Sequence, residues 1–436
     1  PNPSAVNLDD PSMHCSVELV PELEQCPSDK VPPLPPPTLK PPESNYSSVE
    51  GMLASTWAAQ GPPMPLQEAR NMVRFLIQAC KFLITALQST KKTDRALTPA
   101  EERDVFVRLF KYGIQALDVY LLNPTPGQPS AAQQREDKEA IEMFASCFTM
   151  MNPDVFSEMW SNHIPFLVER IAIHPNLTTI CNSFLVSGQT AARFGSILSG
   201  YLLKRMPEMA VTSERATLYL KLFKLIFSAI SCAQTNGSTT VEKMIKPSLQ
   251  PWLHSIVRDS MYHSLRGREP SNYFLLLRAL FRSIGGGSHD VLSVYQEFLP
   301  LLPSLLSFLN RMQAGQHRMT MRELFVELCL TVPVRLSSLL PHLPLLMDPL
   351  VCSLSGHQYV QQSTTTRVSG LRTLELCVDN LQPEYLQEHI APVRAALMQG
   401  LWRTVSSNPD TGSSLLALKI LGKFGYLNRR MIADAQ

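Results

Sequence analysis

Ser288, His289 and Asp290 carry the side-chain types of a nucleophilic triad, and three glycines, Gly285 to Gly287, stand just before them. A hydroxyl, an imidazole and a carboxylate perform acyl transfer when folding assembles them from separate places, rarely as chain neighbours. The glycine run lacks the Gly-Lys-Ser/Thr that would complete a phosphate cradle, and it follows a helical pattern rather than a strand. It reads as an inter-helix turn, with Ser288 or Asp290 capping the next helix. His342, His357 and His389 lack the tight ligand spacing of a zinc site and are expected at the surface or at interfaces. The chain has 9 cysteines and no C-x-x-C pair. Cys80, Cys147, Cys181, Cys232, Cys329 and Cys377 lie in apolar helical patterns, as small buried hydrophobes of a reducing compartment do. The expectation is therefore no catalytic residue, no cofactor-binding residue and no metal ligand.

Other groups point to binding only weakly. Lys91-Lys92, Lys204-Arg205 and Arg429-Arg430 are short basic pairs with acids nearby, and the formal net charge is only +2. Solvated helix ends explain them, and no direct contact with nucleic acid is expected. Met143, Met150, Met151 and Met159 suit helical core packing better than an adaptable surface. The most apolar region, Phe298 to Leu354, is interrupted by Arg311, Arg318, Arg322, Glu323, Glu327 and Arg335, so no membrane span is expected. No stretch has the form of a signal peptide, and a chain that opens on Pro1 reads as a segment of a longer one.

The elements that would position such groups fall into two kinds. Residues 1–65 carry Val31-Pro32-Pro33-Leu34-Pro35-Pro36-Pro37 and Lys40-Pro41-Pro42 and lack sustained 3.6-residue periodicity. Proline removes a donor and fixes φ, so this stretch reads as a disordered linker of polyproline II character, a spacer rather than a ligand for an aromatic groove. Residues 66–436 read as helix. Val73, Leu76, Ile77, Cys80, Leu83, Ile84 and Leu87 recur at steps of three and four. So do Val105, Leu109, Tyr112, Ala116, Val119 and Tyr120, and Leu218, Leu222, Leu225, Ile226, Ala229 and Ile230. Asn152-Pro153, Thr235-Asn236-Gly237 and Asn408-Pro409 are among the breakers between them. Thr98, followed by Pro99, Glu101 and Glu102, is a helix start. No alternating strand pattern is present.

The helices repeat. Leu277-Arg278-Ala279-Leu280, Val326-Glu327-Leu328-Cys329, Leu374-Glu375-Leu376-Cys377 and Leu418-Lys419-Ile420-Leu421 place Leu280, Leu328, Leu376 and Ile420 44–48 residues apart. Between them lie helices opened or interrupted by Pro303, Pro349 and Pro392. A helix pair every ~40–47 residues with proline near one helix is the HEAT/armadillo pattern. The predicted fold is all-α, a HEAT/armadillo-like α-solenoid of stacked antiparallel helix pairs over 66–436, with Leu280, Leu328 and Leu376 buried at the seams between helices.

Three stretches carry a closer resemblance: Asn272 to Asp290, Glu323 to Pro341 and Gly370 to Pro383. With shorter matches such as Phe148 to Pro153, Leu218 to Leu225 and Leu421 to Gly425, they resemble the transformation/transcription domain-associated protein family from about Thr98 to Gln436. Asn123 to Gln134 and Gln358 to Arg367 look like variable loops of that family. The resemblance implies part of a long HEAT solenoid belonging to a phosphatidylinositol-3-kinase-related pseudokinase. It implies a nuclear, non-enzymatic scaffold of histone acetyltransferase complexes of the SAGA and NuA4 types that contacts acidic transcription activation domains. It offers no catalytic residue to carry over. A receptor for acidic, amphipathic segments needs apolar pockets near basic residues. Lys221, Lys224 and Lys243, or Arg429 and Arg430, are of the right type, but the partner-binding residues remain unassigned. The alternative is the regulatory solenoid arm of an active kinase of the same superfamily, since helix periodicity does not separate the two. A transport-receptor solenoid shares the architecture but not these motifs.

Overall fold

The computed structural model describes residues 66–89, 98–121, 130–235, 238–267, 270–283, 300–314, 318–336, 340–354, 364–407 and 412–427. Gly285 to Asp290, His357, Arg429 and Arg430 lie outside these residues.

Local signals set the helix ends. The first helices are α1 (Leu66–Ser89), α2 (Pro99–Tyr120), α3 (Ala131–Phe148) and α4 (Pro153–Ile173). At the start of α2 the Thr98 backbone N–H donates to Glu101 Oε2 at 2.9 Å, and the Thr98 hydroxyl accepts from the Glu101 N–H at 3.3 Å. This reciprocal capping satisfies two donors that helix geometry leaves without partners. Asn152 caps α4, its side chain accepting from the Asp154 N–H at 2.9 Å, with Pro153 at the first helical position.

The chain continues through α5 (Thr178–Val186), α6 (Ala191–Lys204), α7 (Glu214–Thr235), α8 (Ser238–Arg266) and α9 (Ser271–Ser283). Then come α10 (Leu302–Ala314), α11 (Met319–Leu336), α12 (Leu343–Leu354) and α13 (Thr364–Asn380). Pro392 lies in a 3-10 turn, Ala391–Val393, so the predicted second helix of this repeat is two helices, α14 (Pro383–Ile390) and α15 (Arg394–Ser407). The last is α16 (Gly412–Leu427). No strand occurs among the described residues.

The helices stack in two rows. In one, α1, α3, α5, α7, α9, α11, α13 and α16 pack each on the next. In the other, α2, α4, α6 and α8 follow one another, as do α10, α12 and α15. Partners across the rows, such as α1 with α2 and α10 with α11, form the repeating pairs. This is the predicted all-α solenoid, each helix pair burying its apolar face on its neighbours.

The core has two parts that meet in α11. Phe325, Leu328 and Cys329 join an N-terminal cluster that begins at Val73, and Val326 and Leu330 join a C-terminal one that ends at Phe424. Leu280 and Leu328 are buried as predicted, and so is Ile420. Leu376 is not: it is 38% exposed, while Leu374 and Cys377 are fully buried. On a helix, 374 and 377 share a face and 376 lies about 100° from 377 and about 160° from 374, so the apolar motif aligned with its neighbours in type but not in face. A similar correction applies to α1 and α2. Val73, Ile77 and Ile84 of α1 are buried, whereas Leu76, Leu83 and Leu87 are exposed. On α2 the buried face is Phe106, Phe110, Ile114, Leu117 and Tyr120, and Val105 and Tyr112 are exposed.

Candidate interaction surface

The chemistry-bearing residues are mostly held inert by their surroundings. Burial pushes the thiols of Cys147, Cys181 and Cys377 up to about 12, far from thiolate reactivity. All six cysteines whose side chains are described are free. Of the histidines expected at the surface or at interfaces, His342 is buried, and burial lowers its pKa. It lies in the short 3-10 turn Leu340–His342, directly ahead of α12. His389 is half-buried beside the Tyr385 ring, 5.1 Å away centre to centre. Met151 and Met159 are in the core and Met150 is exposed, so the methionines do not make a shared surface. Among the described residues no group of His, Cys, Asp or Glu is placed to hold a metal ion, and no helix is long and apolar enough to cross a membrane.

Lys221 and Lys224 are exposed on α7. The side chain of Lys243 lies outside the described residues. Lys204 is exposed at the end of α6, whereas Arg205 is bound to Glu208 at 2.7 Å and lies over the Tyr201 ring.

Two ionic ladders cross the row that ends in α16. Glu327 of α11 accepts from Arg278 at 3.0 Å and Arg282 at 2.5 Å, both on α9. Glu375 of α13 pairs with Lys419 of α16 at 2.7 Å, and Lys423 reaches Asp379 at 2.5 Å. The hydrogen bond from Lys419 is the main cause that holds the Glu375 carboxyl below its usual range. These groups stitch one helix to the next; Glu327 and Glu375 are mostly covered, while Arg282, Lys419 and Asp379 reach solvent, which screens the pairs.

Exposed large apolar side chains gather on the first and last described helices, with single ones such as Ile173, Val186 and Val211 between. At one end α1 exposes Met72, Phe75, Leu76, Phe82, Leu83 and Leu87, with Phe75 at 72% and Phe82 at 66%. α2 adds Val105 and Tyr112 beside them. At the other end Trp402 of α15 and Leu415 and Leu418 of α16 are exposed, Leu415 at 63%. Large aromatics held this far out are what a partner surface uses as anchors. Sequence periodicity took part of the α1 stripe for core, because α1 is apolar on two faces. Its breadth, together with Met72, Phe75 and Phe82, was the available signal.

A buried ion pair fixes the first of these ends. Arg70 of α1 donates to Asp137 of α3 at 2.5 Å and to the Tyr120 carbonyl at 2.5 Å, with its guanidinium 4.3 Å above the Tyr120 ring. Both charged side chains are nearly solvent-free. Removing one partner would leave an uncompensated charge in the interior, so the pair locks α1 in one register on α2 and α3.

Residues 26–408 match the family model described as the Tra1 HEAT repeat central region. The chain is 47% identical over 412 residues to Transcription-associated protein 1 of Caenorhabditis elegans, a match covering 92% of this chain and 10% of that protein. It is 49% identical over 384 residues to the human Transformation/transcription domain-associated protein, covering 85% of this chain and 10% of that one. It is 35% identical over 309 residues to the SAGA complex/NuA4 acetyltransferase complex subunit TRA1 of Saccharomyces cerevisiae, covering 70% of this chain and 8% of the yeast protein. The chain thus spans about a tenth of the length of these relatives. With a match over most of its length and identities near one half, the chain belongs to the Tra1 family and carries that family's HEAT-repeat central region.

Proposed function

We propose that this chain is a non-catalytic scaffold segment of a nuclear transcription co-activator, holding histone acetyltransferase complexes of the SAGA and NuA4 types together and contacting acidic activation domains. The observation that supports it best is the yeast relative, named as a subunit of those two complexes and 35% identical over 70% of this chain. The physical arrangement agrees with that role. A two-row helical stack presents long surfaces, the Cys147, Cys181 and Cys377 thiols are buried and held protonated, and large apolar side chains are exposed on its first and last described helices. Residues 66–436 supply the repeats in this reading and residues 1–65 a proline-rich spacer.

The test is affinity purification of the full-length protein from nuclear extract, with cross-linking mass spectrometry and a histone acetylation assay. Recovery of acetyltransferase subunits cross-linked to helices of this segment, with acetylating activity, is the expected result. Recovery of the protein without such subunits or activity would overturn the reading.

A further inference from the structure

Prolines mark the second helix of successive repeats, and the fold accommodates each differently. Pro303 is the second residue of α10, where a backbone N–H has no helical partner to lose, and Pro392 lies in the 3-10 turn between α14 and α15. Pro349 is inside α12. A proline there removes the bond that its N–H would give to the carbonyl of the residue four positions earlier, Leu345. That carbonyl has another donor: Asn310 Nδ2 of α10, at 2.7 Å. We propose that Asn310 is a clasp that stands in for the donor Pro349 lacks, and that it locks α10 to α12 where the two cores meet.

The surroundings of Asn310 support this role. Leu305, Leu306, Leu309 and Met312 of α10 are buried, and Asn310 interrupts this apolar helix on the stripe shared by Leu306 and Gln313. A partly buried amide in such a place is costly unless both its ends are satisfied. The Cys329 thiol of α11 donates weakly to Asn310 Oδ1 across 3.9 Å, and Nδ2 faces α12. One side chain thus joins three helices. One turn further along, Gln313 Nε2 donates to Cys352 Sγ of α12 at 2.9 Å, so the contact between α10 and α12 has a polar edge. An amide set against one carbonyl fixes the axial register, because sliding either helix by a residue breaks the bond, whereas an apolar seam tolerates the slip.

The position of the clasp gives it a consequence for shape. Cys329 belongs to the N-terminal cluster and Leu345 packs against that cluster, while Leu343, Leu346 and Leu350 of the same α12 belong to the C-terminal one. Contacts in a solenoid run between neighbours, so the joint of two cores is a place where the stack bends unless something pins it. The clasp also sets how the second row continues, since α12 is the helix on which α15 packs.

The experiment is a double-mutant cycle read by hydrogen exchange on the full-length protein, with Asn310→Leu, Pro349→Ala and the two combined. Asn310→Leu strands the Leu345 carbonyl, so protection of the α10 and α12 amides falls about tenfold or more. Pro349→Ala restores the backbone donor, so adding Asn310→Leu to it lowers protection by less than about threefold. Asn310→Asp keeps the shape of the side chain and loses the donor, and it behaves as Asn310→Leu does. Protection in α4 to α6 stays unchanged throughout. Equal losses from Asn310→Leu in both backgrounds, or full protection in Asn310→Asp, would overturn the proposal. So would a loss that reaches α4 to α6, because Asn310 would then support the fold at large rather than this joint.

Discussion

The two ends of this array solve one packing problem with different materials. In the N-terminal part the interior is a continuous lattice of rings. Trp160 sits 4.9 Å from both Phe110 and Phe184, 5.6 Å from Phe148 and 5.8 Å from Phe194, all in edge-on or tilted geometry. In the C-terminal part the buried residues are aliphatic, with Phe424 as the aromatic member of its cluster. Small residues do the work of rings there. The end of α12 is pinched between two helices: a Cβ on Gly400 would lie 2.8 Å from Leu354 Cβ, and one on Gly370 would collide with the Ser353 hydroxyl. Aromatic edges fill the first part's interior, where Gly113 makes room for the Phe144 ring, and in the second part glycines admit Leu354 and Ser353.

That contrast can be broken most severely at its largest ring. Trp160→Ala removes a fully buried side chain and is expected to cost ~3–5 kcal/mol. Hydrogen exchange should show protection lost in α2 to α6 and kept in α12 to α16, since contacts are between neighbours. Loss spread evenly over both parts would mean they share one core. Next in size is a pair of equivalent positions. Leu328→Ala, at the junction of the two clusters, is expected to cost ~2–5 kcal/mol, and Leu376→Ala about 0.5 kcal/mol or less. Equal losses by denaturant titration would contradict the face assigned to Leu376. Gly400→Ala sharpens the aliphatic side, with an overpacking cost of ~1–3 kcal/mol, because the obstructing atoms include Leu354 backbone, which cannot swing away. Protection in α12 and α15 should fall and that in α4 should not.

The smallest effect is a pH dependence at the start of α2, in the N-terminal part. The Thr98 backbone N–H, then its hydroxyl, hold the Glu101 carboxyl below its usual range. A carboxyl lowered by folding stabilises the fold above its unfolded-state pKa, and that contribution is lost as pH falls through the folded value. Amide protection in the first turn of α2, corrected for intrinsic exchange, should therefore decline with acid before that of the Trp160 lattice. A first turn indifferent to acid would remove Glu101 from the cap.

What could be read from the chain was local. Thr98 with Glu101, Asn152 with Pro153, and the break at Pro392 act through atoms a few residues apart, and each helix end fell where they placed it. The alternation of helix types carried the two-row stack. Faces were harder, because α1, α2 and the Leu374 to Cys377 motif each offer two apolar stripes, and only neighbours decide which is covered. The Arg70–Asp137 pair had no local mark, its members being 67 positions apart. The uncovered end surfaces were illegible for the same reason: they are defined by what does not pack on them.

The stack also bears on how the chain acquires its shape during synthesis. Arg70 finds Asp137, and Tyr273 finds the Met206 carbonyl, each across 67 residues, and the rows join each helix mainly to those just before and after it. Loop closures of this length are short beside the 436 residues of the chain, so their entropic cost stays small. Each pair of helices can settle on the preceding pair as it leaves the ribosome, without waiting for distant sequence. A stack built this way thereby leaves about one repeat of apolar surface unpaired at its growing end.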